Sequence, residues 1–331
     1  MNIHVYLLCY NEESIIKNIL DYYSSFCSKI FLMDNISTDR SVEIASEFPK
    51  VKIISWASGD AIDESLYVKM KSQTYKDYSR EGGRYTEEVA DWVISCDMDE
   101  VLYHPDIIQV LKSYKKEGVT VPQITGFNMT GENDIDQRLP ILDQYMNGVR
   151  EVVFDKRIVF DADFDMSYSK GCHSYGAGFE CMRETYNYKS SNNFPIALLH
   201  YKHIGSRLFD VAVKNSERVD ADTGASHYKY YKEKGPTHLP LLKKMKPIFD
   251  ANMHVNFSDF AATTGEKSSR RLSLNGEITQ GDVDVFRDSA LKLEDFDMLL
   301  ARELMLIAKR YRPTGAVILQ KIKQFNHQLD N

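Results

Sequence analysis

Within the first hundred residues, short apolar runs alternate with helical patterns, and most of the runs give way to a turn rich in carboxylates or amides. Residues 4–9 (HVYLLC), 29–33 (KIFLM), 51–56 (VKIISW) and 91–96 (DWVISC) have the length and apolarity of buried strands. Between them, 14–26 carries Ile15, Ile16, Ile19, Leu20 and Tyr23 at helical spacing. Residues 39–48 read as a shorter helix with Thr38 or Asp39 as N-cap, and 65–78 as a third. Strands that are apolar on both faces need cover on both faces, and the intervening helices supply it. The order therefore predicts an α/β fold: a mostly parallel, Rossmann-like sheet flanked by helices.

Further along, a helix is expected over 105–116, strand and turn over 119–129, and a polar loop over 132–148. Residues 152–160 (VVFDKRIVF) alternate like a strand, 197–201 (ALLHY) form a short strand, and 207–218 a helix. The stretch 226–246 is rich in Tyr, Lys and His, and 256–282 is polar and reads as a linker or loop. The tail, 293–328, reads as two amphipathic helices broken at Arg312-Pro313-Thr314-Gly315. This divides the chain into a main domain over 1–230 and a mostly helical C-terminal extension over 231–331.

A chain of 331 residues suffices for one large α/β domain with appendages, or for two domains. A net charge of −7 and the lack of a basic stripe exclude a nucleic-acid partner. Five cysteines, an odd number with no CxxC pair, read as reduced thiols of a cytoplasmic protein. Residues 1–4 lack the basic head and apolar run of a secretion signal, and no run of 18 apolar residues exists.

In an open parallel sheet, ligands bind beyond the carboxyl ends of the strands. The first strand ends in Tyr10-Asn11-Glu12-Glu13, the second in Asp34-Asn35 followed by Ser37-Thr38-Asp39, and the fourth in Asp97-Met98-Asp99-Glu100. Alternation along an extended chain would put Asp97 and Asp99 on one side. Two hard oxygen ligands at that spacing can share a Mg²⁺ or Mn²⁺, which can also grip a diphosphate. The plainer alternative is an acidic cluster that caps a strand at the surface.

LLCYNEE, then FLMDNISTDRS, then DWVISCDMDEVLY resembles the family-2-like glycosyltransferases of the GT-A fold, of the bacterial surface-glycan type. The likeness covers about 3–104 well and extends more loosely to about 230. It implies a nucleotide-sugar half over 1–104 and an acceptor half over 105–230. By position, Tyr10 would lie against the nucleotide base with Asn11 and Glu12 nearby. Asp34 would bind base or ribose, Asp97 ribose or metal, and Asp99 the metal directly. Asn35-Ile36 departs from the Asp-Gly or Asn-Gly of many relatives, which puts the turn geometry in question. FDKRIVF, GCH and LLHYKHIG look like later pieces of the same subgroup. His200 is then a further metal ligand, and Lys156, Arg157 and Lys202 are candidates for diphosphate contact. A packed aromatic, a satisfied histidine and solvated cations are the plain readings of these residues.

The resemblance implies a hexosyl- or N-acetylhexosaminyl-transferase that uses a UDP-sugar and a divalent metal (Mn²⁺ or Mg²⁺) and inverts the anomeric centre. Asp155, His173 and Glu180 are the candidates for its base. The acceptor would be a glycan or a lipid-linked molecule, which would bring the protein to the inner face of the membrane peripherally. The apolar face of the tail (Leu299, Leu300, Leu304, Met305, Ile307, Ala308) packs on the main domain, forms a homo-oligomer, or, with Lys309, Arg310, Arg312, Lys321 and Lys323, meets a membrane surface. A nucleotidyltransferase that makes NDP-sugars, or a non-catalytic carbohydrate-binding protein on the same fold, are the competing readings. The acidic, glycine-free Tyr10-Asn11-Glu12 turn speaks against the first.

Overall fold

The computed structural model describes residues 1–59, 62–168, 172, 175–177, 196–218, 244–255 and 280–329. In chain order the first half runs β1 (Ile3–Cys9), α1 (Ile16–Ser24), β2 (Lys29–Asp34), α2 (Ser41–Ser46), β3 (Val51–Ser55), α3 (Glu64–Ser79), β4 (Trp92–Asp97), β5 (Glu100–Tyr103) and α4 (Ile107–Glu117). There follow β6 (Ile124–Gly131), α5 (Ile141–Gln144), β7 (Asn147–Arg150), a 3-10 turn (Val152–Phe154), β8 (Val159–Asp161), β9 (Met166–Tyr168) and β10 (Tyr175–Ala177). Then come β11 (Ile196–Ile204), α6 (Arg207–Arg218), β12 (Lys246–Pro247), α7 (Gln280–Leu293), α8 (Met298–Tyr311) and α9 (Ala316–Leu329).

The first sheet has the order β3-β2-β1-β4-β8, with its first four strands parallel and β8 antiparallel on β4. Alternate residues of β1 serve two cores, as the pleat requires. Ile3, Val5, Leu7 and Cys9 pack with α1 through Ile16, Ile19, Leu20 and Tyr23. Tyr6 points into a second cluster with Tyr75 of α3 and with Val283, Phe286, Leu304, Met305, Ile318 and Phe325 of the C-terminal helices. Helix α3 packs on this second face of the sheet, and α7–α9 join it in one hydrophobic cluster. The expected α/β architecture, a parallel-dominated sheet flanked by helices with a helical C-terminal region, is the one observed.

A second, mixed sheet has the order β12-β7-β6-β11-β5. β6 and β11 run parallel, and β5 pairs antiparallel with β11. The chain crosses from the first sheet to the second between Asp97 and Glu100, so the acidic turn sits at their junction.

Several expectations are corrected. The stretch 152–160 is a 3-10 turn and an extended link, and only Val159–Asp161 pairs as a strand. The supposed loop over 132–148 contains α5 and the first half of β7, with Gln144 bonding the backbone of Asp136 and Leu139. The polar residues 280–282 open α7, where Gly281 and Asp282 are buried. The tail is the two helices expected, α8 and α9, with the break at 312–315, and α7 is an additional helix before it, ending at Leu293. Arg312 and Lys321, cations that the membrane alternative would have used, pair with Asp284 and Glu294. Asp39 is an interstrand tie: its carboxylate accepts from Glu13 N (3.0 Å) and Ser41 N (2.9 Å), and Arg40 stands at the N-cap. The base candidates His173 and Glu180, Cys181, and most of 226–246 and of 256–282 lie outside the described residues. Cys9, Cys27, Cys96 and Cys172 are free and buried, and no described helix is long and apolar enough to cross a membrane.

Candidate active site

Beyond the carboxyl ends of β1 and β4 lies a cleft of about 680 Å³. Tyr10 and Glu12 from the β1 turn, Lys71 from α3, Asp97 and Asp99, Phe154 and Lys156, His200 and Lys202 from β11, and Lys214 and Arg218 from α6 all line it. Its charged lining comprises four carboxylates (Glu12, Glu64, Asp97, Asp99) and five bases (Lys71, Lys156, Lys202, Lys214, Arg218), in a chain whose net charge is −7. An acidic protein has therefore gathered local positive charge here, which suits an anionic ligand.

Asp97 and Asp99 both face the cleft, though not by the alternation expected of extended chain. The strand ends at Asp97, and Met98-Asp99 forms a turn. The buried Glu100 carboxylate closes that turn by accepting from Asp97 N at 3.0 Å. Asp97 is held by Lys71 Nζ at 2.7 Å and by Lys156 Nζ at 3.4 Å, and Lys156 also pairs with Glu100. Burial alone would raise the pKa of Asp97, but Lys71 and Lys156 outweigh it and hold the group well below the usual carboxylate range. Burial would likewise lower both lysines, yet the anions beside them hold both raised and charged.

Asp99 has a different surround. Its Oδ2 lies 3.3 Å from Arg207 Nη2, and its Oδ1 lies 3.6 Å from His200 Nε2. Burial works against the Asp99 charge, but His200 and Arg207 bring its pKa down to about 2. Burial pushes His200 down to about 3, so at neutral pH its imidazole is uncharged. The ring packs against Phe154 with centroids 4.2 Å apart and the planes tilted by 32°.

Helix α6 contributes what sequence reading missed. Its start is fixed by Gly205, at φ +48°, where an added Cβ would run into Asp134. Asp210 in the first turn and Arg218 in the last agree with the helix dipole. Arg207 bridges Glu12 (2.7 Å) and Asp99, and Lys214 reaches Glu12 Oε1 (2.7 Å) and the Tyr10 carbonyl (2.9 Å). Arg218 lies 3.7 Å from the Tyr10 ring centroid and donates to Ser58 and Tyr67. Arg207, Lys214 and Arg218 recur at offsets of seven and four, on one helical face, and that spacing is the signal that could have revealed them. Lys71 left no such trace, because α3 reads as generically polar.

The remaining candidates divide. Tyr10 and Lys202 line the cleft, but Asn11, Asp34, Arg157 and Asp155 are not among the lining residues. Asn11 adopts φ +52° and its Oδ1 accepts from Thr38 N at 2.7 Å, tying the first turn to the second. The Asp34 carboxylate accepts from Ser37 N at 3.2 Å and is buried. Arg157 is buried and donates to the Asp155 carbonyl. Asp155, a candidate base, accepts from Gly126 N (2.9 Å) and pairs with Arg150 (2.7 Å), which leaves its carboxylate bracing β6 and β7 instead of facing a substrate.

Among the described residues, no three or more His, Cys, Asp or Glu side chains gather into a ready-made metal cage. The donors that do converge are Asp99 and His200, with Asp97 beside them. A carboxylate oxygen and an uncharged imidazole nitrogen 3.6 Å apart are too far for a hydrogen bond and have an open cleft in front of them. That partial set fits Mg²⁺ or Mn²⁺, which bind through few protein ligands and complete their shell with phosphate oxygens and water.

No family model and no curated protein matches the chain. Glucosyl-3-phosphoglycerate synthase from Mycobacterium tuberculosis, solved with Mn²⁺, uridine diphosphate and glucosyl-3-phosphoglycerate, is similar over 38% of this chain and 44% of that one, at 20% identity and a TM-score of 0.27. The chain thus spans under half the length of that enzyme. S. aureus TarS, residues 1–349, is similar over 100% of this chain and 91% of that one, at 12% identity and a TM-score of 0.36.

Proposed function

We propose that the chain is a divalent-metal-dependent glycosyltransferase of the GT-A type that moves a sugar from a nucleoside diphosphate to an acceptor hydroxyl. The observation that carries this reading is the convergence of Asp99 and His200, with Asp97 beside them, on a cleft that five basic side chains and several aromatic ones also line. Asp99 and His200 would hold the metal, with Asp97 next to it. When bound, the ion would neutralise charge on the departing diphosphate.

The chain's own residues would do the rest. Tyr10, Trp56 and Tyr67 form an aromatic end for the nucleotide base. Lys71 and Lys156 can turn from Asp97 toward diphosphate oxygens, and Lys202, Lys214 and Arg218 add positive charge where the leaving group would sit. The resemblance of the strand-end motifs supports uridine as the base, inversion at the anomeric carbon, and a glycan or lipid-linked acceptor. With Asp155 committed to Arg150, His173 and Glu180 remain the candidates to accept the acceptor proton.

A thermal-shift panel of nucleotides and NDP-sugars, with and without Mn²⁺, tests the reading. UDP or a UDP-sugar should raise the melting temperature in a Mn²⁺-dependent way. Asp99→Ala should remove the metal-dependent part. If Asp99→Ala responds to Mn²⁺ and UDP as the parent does, the site assignment is wrong. UDP release from a UDP-sugar separates a transferase from a binding protein, and pyrophosphate-dependent NTP formation would instead identify a nucleotidyltransferase.

A further inference from the structure

We propose that Asn128 is the positioning residue of this site: it fixes His200 in the Nδ1–H tautomer and so presents the bare Nε2 lone pair, beside Asp99, to a divalent cation. The inference rests on the metal reading above and extends it to a residue on the neighbouring strand.

Parallel pairing of β6 with β11 sets Asn128 directly opposite His200. Both side chains are buried, and Asn128 Oδ1 lies 2.8 Å from His200 Nδ1. An amide oxygen only accepts, so the ring nitrogen must be the donor. A neutral imidazole has one N–H, and with that proton on Nδ1, Nε2 has none. Nε2 then faces Asp99 Oδ1 across 3.6 Å, acceptor to acceptor. Two lone pairs aimed at one another in a buried corner repel, unless a cation lies between them and the cleft.

The backbone supports this orientation. Immediately after His200 the ladder slips: His200 pairs with Asn128, but His203 pairs with Thr130, so β11 holds one extra residue. Such bulges re-aim side chains next to functional sites. The Phe154 ring, packed at 32° to the imidazole, restricts its rotation. A histidine that merely needed burial would be served equally well by an Asn128 amide turned to donate, with Nε2–H then directed at Asp99. The two arrangements differ in an observable, the position of one proton.

The test uses the full-length chain, labelled with ¹⁵N-histidine and stripped of metal. Long-range ¹H–¹⁵N spectra, assigned with His200→Gln, report the tautomer, and calorimetry with Mn²⁺ in the presence of UDP reports metal affinity. The parent should show the Nδ1–H form. Asn128→Asp, which keeps an acceptor, should show the same tautomer and bind Mn²⁺ within a few-fold of the parent. Asn128→Val should shift the proton toward Nε2 and weaken Mn²⁺ roughly 10–100-fold, the usual cost of losing such a support. An Nε2–H parent, or an Asn128→Val chain that binds Mn²⁺ as the parent does, overturns the proposal. If Asn128→Val does not fold, the parent spectrum and Asn128→Asp decide. His200→Ala separates the two claims. If it binds Mn²⁺ with UDP normally, His200 is no metal ligand and the role of Asn128 falls with it, while the metal reading itself is decided by Asp99→Ala. If it loses Mn²⁺ while Asn128→Val retains it, the metal reading stands and the role of Asn128 falls.

Discussion

The two ends of β1 carry buried polar networks of opposite character. At the amino end, Glu88, His4, Ser79 and Tyr6 form a chain in which every group has its complement. His4 Nε2 donates to Glu88 (3.0 Å), its Nδ1 accepts from Ser79 (2.6 Å), and the Tyr6 hydroxyl meets the same Ser79 oxygen. At the carboxyl end, Lys71, Asp97, Lys156 and Glu100 alternate in sign, but Asp99 and His200 face each other as two acceptors beside an open cleft. A saturated network fixes a fold, whereas a facing pair of acceptors beside a cleft has room for a ligand. The same sheet thus carries a saturated network beyond one end of β1 and the proposed ligand site beyond the other.

Four substitutions or conditions sharpen that contrast. Lys156→Met should have the largest effect, since it strands the fully buried Glu100 carboxylate and should cost about 3–5 kcal/mol in chemical denaturation. A loss under 1 kcal/mol would mean that Lys156 is not needed to balance Glu100 and that the alternating-charge picture is wrong. Ser79→Ala leaves His4 Nδ1 and the Tyr6 hydroxyl unpaired and should cost about 1–3 kcal/mol, with UDP affinity unchanged. A comparable loss of nucleotide binding would show that the two ends are coupled.

Acidification should act on the amino end as well. Burial holds His4 below the ordinary histidine value of 6.5, although Glu88 opposes this. Below pH 6.5 the unfolded chain therefore binds a proton that the folded chain resists, and stability should fall as the pH drops. His4→Gln should flatten that part of the stability–pH profile, and an unchanged slope would remove His4 as its source. The smallest effect concerns Ile36, which is exposed and held at φ +57°, a conformation that strains a β-branched side chain. Ile36→Gly should stabilise the chain by about 0.5–1 kcal/mol, read as a raised denaturation midpoint. A loss instead would show that the Ile36 side chain contributes packing that outweighs the strain.

The first half of the molecule was legible because its signals are local. Apolar runs such as DWVISC mark strands, and an acidic turn directly after a strand marks a sheet edge where ligands bind. Asp97, Asp99, Tyr10 and Glu12 could be placed at one cleft on that basis. The second half gave less away. VVFDKRIVF alternates as a strand does, yet Lys156 and Arg157 sit on a link whose course is set by their partners. Asp155 looked as available as any carboxylate, and only its pairing with Arg150 shows otherwise.

By itself, the sequence determined the α/β class, the strand–helix order and the edge of the sheet at which an ion or ligand would lie, because period and turn chemistry act over a few neighbouring residues. Only the tertiary structure decided that α6 would bring Arg207 and Lys214 to Glu12, that Lys71 would neutralise Asp97, and that Asn128 would lie opposite His200. Those pairings join residues from 26 to 202 positions apart, and their geometry depends on strand register and helix docking, which no local pattern encodes.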